Sequence, residues 1–375
     1  MKKSRAFRNA KGFFIDSLLF FIICAITFSL ARCQKRSSAG SIRFSNLKVG
    51  FVYIGSINDN GFNSSIDAGR KALEEMGIAC LYEENVPETA ECESKIRSLI
   101  DKGCNVIYAN SFGYMDWVFR LAIEYPSVKF CHFSGYMHTE NLSTFFGRMY
   151  EVRYLTGIVA GLNSNSGKIG YVAASSISEC IRGINAFTLG VRSVNPNATV
   201  NVRFLNSWYD PDGAKAAVDD LDSIGCDVVT FHENSTATIK EAEKKGMYVI
   251  GYNTSAASMA PTVYLTGALF HWEEYFPKDV EDVLNGNWKS RSFWGGIKSK
   301  VVDIDTITEL CVPETKDKVT RAKNDIISGD LEIFQGPIRD QNGKEIVHKG
   351  KKLSDEQIWN MDYFLEGVVG QIPAH

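Results

Sequence analysis

Lys102-Gly103-Cys104-Asn105-Val106-Ile107 and Ile224-Gly225-Cys226-Asp227-Val228-Val229 are two versions of one junction. In each, a helical segment is stopped by glycine and followed at once by a β-branched run. Glycine takes the left-handed backbone that ends a helix, and continuous apolar runs mark strands buried on both faces. The junction recurs because the whole plan recurs. Strand-like runs at 49–54, 78–82, 105–109 and 128–133 alternate with helical patterns, and runs at 168–173, 200–204, 226–231 and 247–250 do so again. Strands that alternate with helices need crossover connections, and these produce parallel sheets. The expected fold is α/β, with two doubly wound βα lobes around a cleft. After Pro261 a further strand is expected at 263–266. The remainder reads as irregular, apart from a helix near 316–327 and a hairpin of 332–336 with 345–348, turned at Asn342-Gly343 in type I′ form.

Open α/β sheets bind ligands beyond the carboxyl ends of their strands. In the first lobe those loops carry Asn58, Asp59, Gly61, Phe62, Asn110, Ser111 and Phe112. In the second they carry Trp208, Tyr209, His232, Asn234, Tyr252 and Asn253. The most explicit is Asn206-Ser207-Trp208-Tyr209-Asp210-Pro211. Asp210 is a good N-cap, Pro211 suits a first helical turn, and apolar residues at 214, 217, 218, 221 and 224 continue the helix to Gly225. Trp208 therefore sits on a strand-end loop. Each such residue alone is also ordinary rim structure. Together, aromatics from facing lobes can sandwich a planar ring, and an amide can read its edge, as Asn pairs with N6 and N7 of adenine. The candidate binding residues are Asp59, Gly61, Phe62, Asn110, Trp208, His232, Asn234 and Asn253.

Several chemistries find no support. The net charge of −3 gives no basic excess for nucleic acid. There is no HExxH and no nucleophile elbow, and the glycine-bounded stretch 161–168 has one residue too many for a phosphate loop and Ile169 where a magnesium-binding hydroxyl belongs. Nine cysteines show no metal-ligand spacing, and a complete disulfide framework is not expected. No enzyme activity, cofactor or metal is expected.

The N-terminus is a separate matter. Lys2, Lys3, Arg5, Arg8 and Lys11 precede an apolar run from Leu18 to Ala31, followed by Arg32-Cys33 and a polar stretch. This is the pattern of a secretory signal, here of lipoprotein type with Cys33 lipidated; a plain signal peptide and an uncleaved anchor are the other readings. All three put the folded part outside the cytoplasm. The expected organisation is a signal peptide at 1–33, a tether at 34–46 and a binding domain at 47–375. Lobe 1 takes about 47–156 and a return segment after 257; lobe 2 takes about 157–256 and part of the C-terminal region.

Lys48-Val49-Gly50-Phe51-Val52-Tyr53, Asp59-Asn60-Gly61-Phe62 and Asp67-Ala68-Gly69-Arg70-Lys71-Ala72-Leu73 resemble the basic membrane protein (Bmp) family. So do the stretches 147–157, 183–190, 206–211, 251–253, 336–341 and 366–370. The resemblance runs through everything after the tether. It implies a type I periplasmic-binding fold and a substrate-binding lipoprotein of an ABC transporter, with permease and ATPase subunits as partners. It also implies purine ligands, nucleosides in one branch and free bases such as adenine in the branch this chain is closer to. By the same resemblance Phe62 and Trp208 would sandwich the ring. Phe62 stands where that branch usually has Trp, and Asn234 where Asp is expected. A ligand-sensing or surface-interaction lipoprotein of the same fold is the alternative.

Overall fold

The structure, a computed structural model, describes residues 44–373. The signal peptide, most of the tether and Cys33 lie outside the described residues. Residues Val280–Trp288 and the turn Phe44–Asn46 fall in a small unit, and Leu47–Asp279 with Lys289–His375 form the large one. Within the small unit, Val280–Trp288 is the end of a helix and the turn after it.

The large unit is built on two sheets. The first takes β1 (Lys48–Tyr53), β2 (Ala79–Glu83), β3 (Val106–Asn110), β4 (Lys129–Phe133), β5 (Leu142–Gly147) and β11 (Ser292–Gly295). Their order is β2-β1-β3-β4-β5-β11, parallel throughout. The second takes β6 (Lys168–Ala173), β7 (Thr199–Phe204), β8 (Val228–His232), β9 (Tyr248–Asn253), β10 (Tyr264–Phe270), β12 (Val302–Ile304) and β15 (Val368–Val369). Its order is β12-β10-β9-β8-β6-β7-β15, parallel except where β12 joins β10. A short hairpin of β13 (Ile338–Arg339) and β14 (Glu345–Val347) stands apart.

The helices of the repeat are α1 (Phe62–Glu75), α2 (Ala90–Asp101), α3 (Met115–Glu124), α4 (Met149–Asn163), α5 (Ser178–Val194), α6 (Pro211–Ser223) and α7 (Ala237–Lys245). Three more follow: α8 (Phe276–Leu284), α9 (Thr315–Ser328) and α10 (Asp355–Trp359). The repeated junction behaves as its sequence requires, with Gly103 at φ +92° and Gly225 at φ +87°. Asp210 caps α6, its carboxylate accepting from Gly213 N at 3.0 Å, and Ala214, Ala217, Val218 and Leu221 are buried while Ile224 is half-buried. The helix and strand alternation, and two sheets each with strand order reversing at a central strand, bear out the expected fold class.

The region after 261 corrects the expectation in several ways. β10 runs to Phe270, longer than the 263–266 segment, because Leu265 to Phe270 are all buried between sheet and helices. The span before α9 holds α8, β11 and β12, and so is regular; the strands are three or four residues long and each only completes a sheet edge. In the hairpin, residues 332–336 do not form the first strand, which begins at Ile338 after Pro337, a residue with no N–H to give to a ladder. The turn is not type I′: of Asn342-Gly343 only Gly343 has positive φ, at +83°. Asp340 Oδ1 accepts from Asn342 N and Lys344 N, which favours a wider turn with a bulge.

α4 and α5 lie against each other across the second sheet, and glycine permits their approach. A Cβ on Gly190 would sit 2.0 Å from Tyr154 O, and one on Gly157 2.2 Å from Phe187 O. This close pairing fixes α5, whose first turn faces the cleft.

Candidate functional site

The strand-end loops of both sheets meet at two cavities that share Ile54, Trp208 and Asn234. One, of about 360 Å³, is rich in aromatic rings. The first sheet gives it Phe62, Phe112 and Phe133; the second gives Trp208, Tyr252 and Phe270. The other, of about 1030 Å³, is polar and includes Asp59, Asn60, Asp212, Lys215 and Lys240. Thr254 Oγ1 donates to Asn60 O at 2.8 Å, joining a loop of the second sheet to one of the first.

Trp208 is 39% exposed and held by its loop. Ser207 N donates to Ala174 O at 2.9 Å, and Trp208 O accepts from Asn234 N at 2.8 Å. The indole lies 5.9 Å from the His232 ring. Opposite, Phe62 opens α1 and meets Phe133 edge-on at 5.0 Å. Phe62, Trp208 and Asn234 therefore line the same aromatic cavity, as three of the eight candidates.

The other five are placed differently. Asp59 lines the polar cavity, but its carboxylate is engaged with the start of α1. It accepts from the backbone N–H groups of Gly61, Asn63 and Ser64, each at 2.9 Å, from Asn63 Nδ2 at 2.8 Å and from Ser64 Oγ at 2.5 Å. Helix N-termini leave such donors unmet and favour an anion, so Asp59 aims α1 and hence Phe62. Gly61, Asn110, His232 and Asn253 line neither cavity. Asn110 is buried behind β1, with its Nδ2 on Val52 O and Tyr108 O at 3.1 Å. Asn253 is buried at φ +69°. His232 is buried, with Nε2 at 2.9 Å from Tyr252 Oη and 3.3 Å from Glu179 Oε1. Burial pulls its pKa down, outweighing the Glu179 carboxylate, so the ring is held neutral.

Glu233, next to Asn234, is turned away from the cleft. It accepts from Ser235 N and Oγ and from Thr238 Oγ1, at the entry to α7, and burial raises its pKa. Of the two neighbours, Asn234 and not Glu233 lines the aromatic cavity.

Three charged residues of the aromatic cavity were missed by the sequence reading: Glu88, whose Oε1 accepts from Ser111 Oγ and Gly113 N, and Glu179 and Arg182 on α5. Arg182 is 5% exposed and is enclosed by the rings of Trp359, Trp294 and Phe146, at 5.1, 5.5 and 5.6 Å. Burial lowers its pKa. The signal was present: Arg182 and Asn185 are polar residues on a helix face otherwise made of Ile181, Ile184 and Thr188. The seven cysteines among the described residues are free thiols. Among the same residues no group of three His, Cys, Asp or Glu could hold a metal, and no helix is long and apolar enough to cross a membrane.

Two parallel sheets with facing carboxyl ends and a cleft between them define a type I periplasmic-binding-protein-like fold. Residues 46–335 match the model of the Bmp family, the PnrA-like substrate-binding proteins of ABC transporters, and the chain belongs to that family. Among its relatives is a purine-binding protein of Brucella abortus, 36% identical over 87% of this chain and 94% of the relative. Another is a protein of Haloferax volcanii provisionally named as an ABC transporter glucose-binding protein, 32% identical over 88% of this chain and 82% of the relative. A solute-binding protein of Aeropyrum pernix superposes with a TM-score of 0.67 over 85% of this chain and all of the other (100%), at 18% identity, a likeness of fold alone. Substrate-binding proteins of ABC transporters are extracytoplasmic and work with permease and ATPase components.

Proposed function

We propose that this chain binds a purine, as base or nucleoside, between its two lobes and delivers it to the permease, with no reaction catalysed. The observation that carries this reading is the aromatic cavity, to which Phe62 and Trp208 come from opposite sheets with the Asn234 amide beside them. Its volume, about 360 Å³, falls in the range of small-molecule sites. Stacking rewards a flat ring, and an amide can both donate to and accept from its edge. The relative named as purine-binding supports the same choice. The lobes, taken as about 47–156 with a return segment and about 157–256 with part of the C-terminal region, would close by a hinge motion on the ligand. In this reading 1–33 is a lipoprotein signal, 34–46 a tether, and lipid on Cys33 holds the protein at the membrane.

The test is calorimetry on the mature protein with adenine, guanine, hypoxanthine, adenosine and glucose. Micromolar binding of at least one purine and none of glucose is expected. Failure of all four purines would end the purine reading, and binding of glucose alone would replace it.

A further inference from the structure

Arg182 is a buried cation with one weak partner. Its Nη1 donates to Trp359 O at 3.3 Å, and no other hydrogen bond or ion pair engages the guanidinium among the described residues. Aromatic faces surround it, yet a guanidinium carries five N–H donors, and those of Arg182 other than the one on Trp359 O are left for the cavity it lines. Glu179, one turn earlier on the same face, has a side chain only 18% exposed. One oxygen meets His232 Nε2 at 3.3 Å, and the other has no partner among the described residues. The same His232 Nε2 also meets Tyr252 Oη at 2.9 Å, so it engages Glu179 through one carboxylate oxygen at most and leaves the second open. At a spacing that allows i,i+3 ion pairs, Glu179 and Arg182 form none. Both line the aromatic cavity.

We propose that Glu179 and Arg182 read the polar edge of the bound ring, Glu179 accepting from an N–H and Arg182 donating to the acceptor beside it. The pair is neutral overall, and the cavity's other carboxylate, Glu88, is engaged by Ser111 Oγ and Gly113 N, so the pair suits an uncharged heterocycle with a donor next to an acceptor. Adenine offers this with its 6-amino group beside a ring nitrogen, and hypoxanthine with N1–H beside O6. A ring that lacks the donor would leave the open Glu179 oxygen without a partner, while its ring nitrogen would still accept from Arg182. This assignment rests on the purine reading and gives that site its specificity determinants.

The experiment measures affinities of adenine, hypoxanthine and unsubstituted purine, which lacks any group at C6. It uses the mature wild-type chain and the variants Glu179→Met, Arg182→Met and Arg182→Lys. Wild type should prefer adenine and hypoxanthine over unsubstituted purine by about tenfold or more, the scale of one good base-edge contact. Glu179→Met should weaken the first two and leave the third unchanged, so that the preference falls to within about twofold. Arg182→Met should weaken all three, and Arg182→Lys should restore part of the loss; the lysine variant keeps the charge and serves if the methionine variant does not fold. A merely structural role would weaken every ligand equally in the Glu179 variant, and that result overturns the assignment. So does wild-type affinity for adenine and hypoxanthine in both Glu179→Met and Arg182→Met, which leaves purine binding itself intact. No binding of any of the three by wild type overturns the purine reading and this assignment with it.

Discussion

Asp59 is the sharpest place to separate a ligand contact from a structural one. Its carboxylate satisfies three backbone N–H groups and two side-chain groups around the first turn of α1. In Asp59→Ala those donors lose their acceptor. Loss of a good cap costs about 0.5–2 kcal/mol, and loss of a negative charge at a helix N-terminus adds about 0.3–1 kcal/mol. Asp59 is half-buried, so water replaces part of what is lost. The expected destabilisation is about 2 kcal/mol in the ligand-free protein. For a folded region of this size the unfolding entropy is about 0.7 kcal/mol/K, so Tm should fall by roughly 3 °C if it melts as one unit. Asp59→Asn, which keeps one acceptor oxygen, should lose about half as much. Differential scanning calorimetry without ligand measures both, and titration with adenine then gives the effect on affinity. Binding should weaken modestly, because Phe62 opens the helix that Asp59 caps. A variant as stable as wild type that has lost affinity tenfold or more would refute the cap and make Asp59 a direct contact.

Trp208→Ala should leave the fold intact, since the side chain is 39% exposed, and reduce purine affinity by about 1–3 kcal/mol in calorimetry; unchanged affinity would make Trp208 rim structure. His132 is fully buried and its pKa is pulled down to about 4 by burial, against about 6.5 in the unfolded chain. The unfolded state therefore binds the proton first, and stability present above about pH 6.5 is lost as pH falls towards about 4, by about 3 kcal/mol. Urea unfolding of wild type and His132→Gln across this window should show the extra slope in wild type only. Gly190→Ala forces a Cβ against Tyr154 O, so it should destabilise by about 2 kcal/mol net of the better helix propensity of alanine; a more stable variant would contradict the close helix contact. If Cys33 carries the anchor, Cys33→Ser should move the protein from the membrane fraction to the soluble one.

Much of this protein is determined by sequence alone, because its signals are local. Gly103 and Gly225 end helices by a backbone preference that needs no tertiary partner. Asp210 and Pro211 start α6 in the same way, and continuous β-branched runs announce strands covered on both faces. Repetition of these units fixes the fold class, and the strand-end position of Trp208 follows from it. Only the tertiary structure decides which polar groups are free. Asp59 and Asn234 look alike as strand-end polar residues, yet one is consumed by its own helix and the other faces the cavity. Arg182 lies on a helix with no turn signal near it, and its rings come from Phe146, Trp294 and Trp359, far apart in the chain. The edge strands β11, β12 and β15 are equally silent, at two to four residues each. Their pairing is set by the neighbouring strand that needs a partner, and a segment that short carries no periodicity of its own.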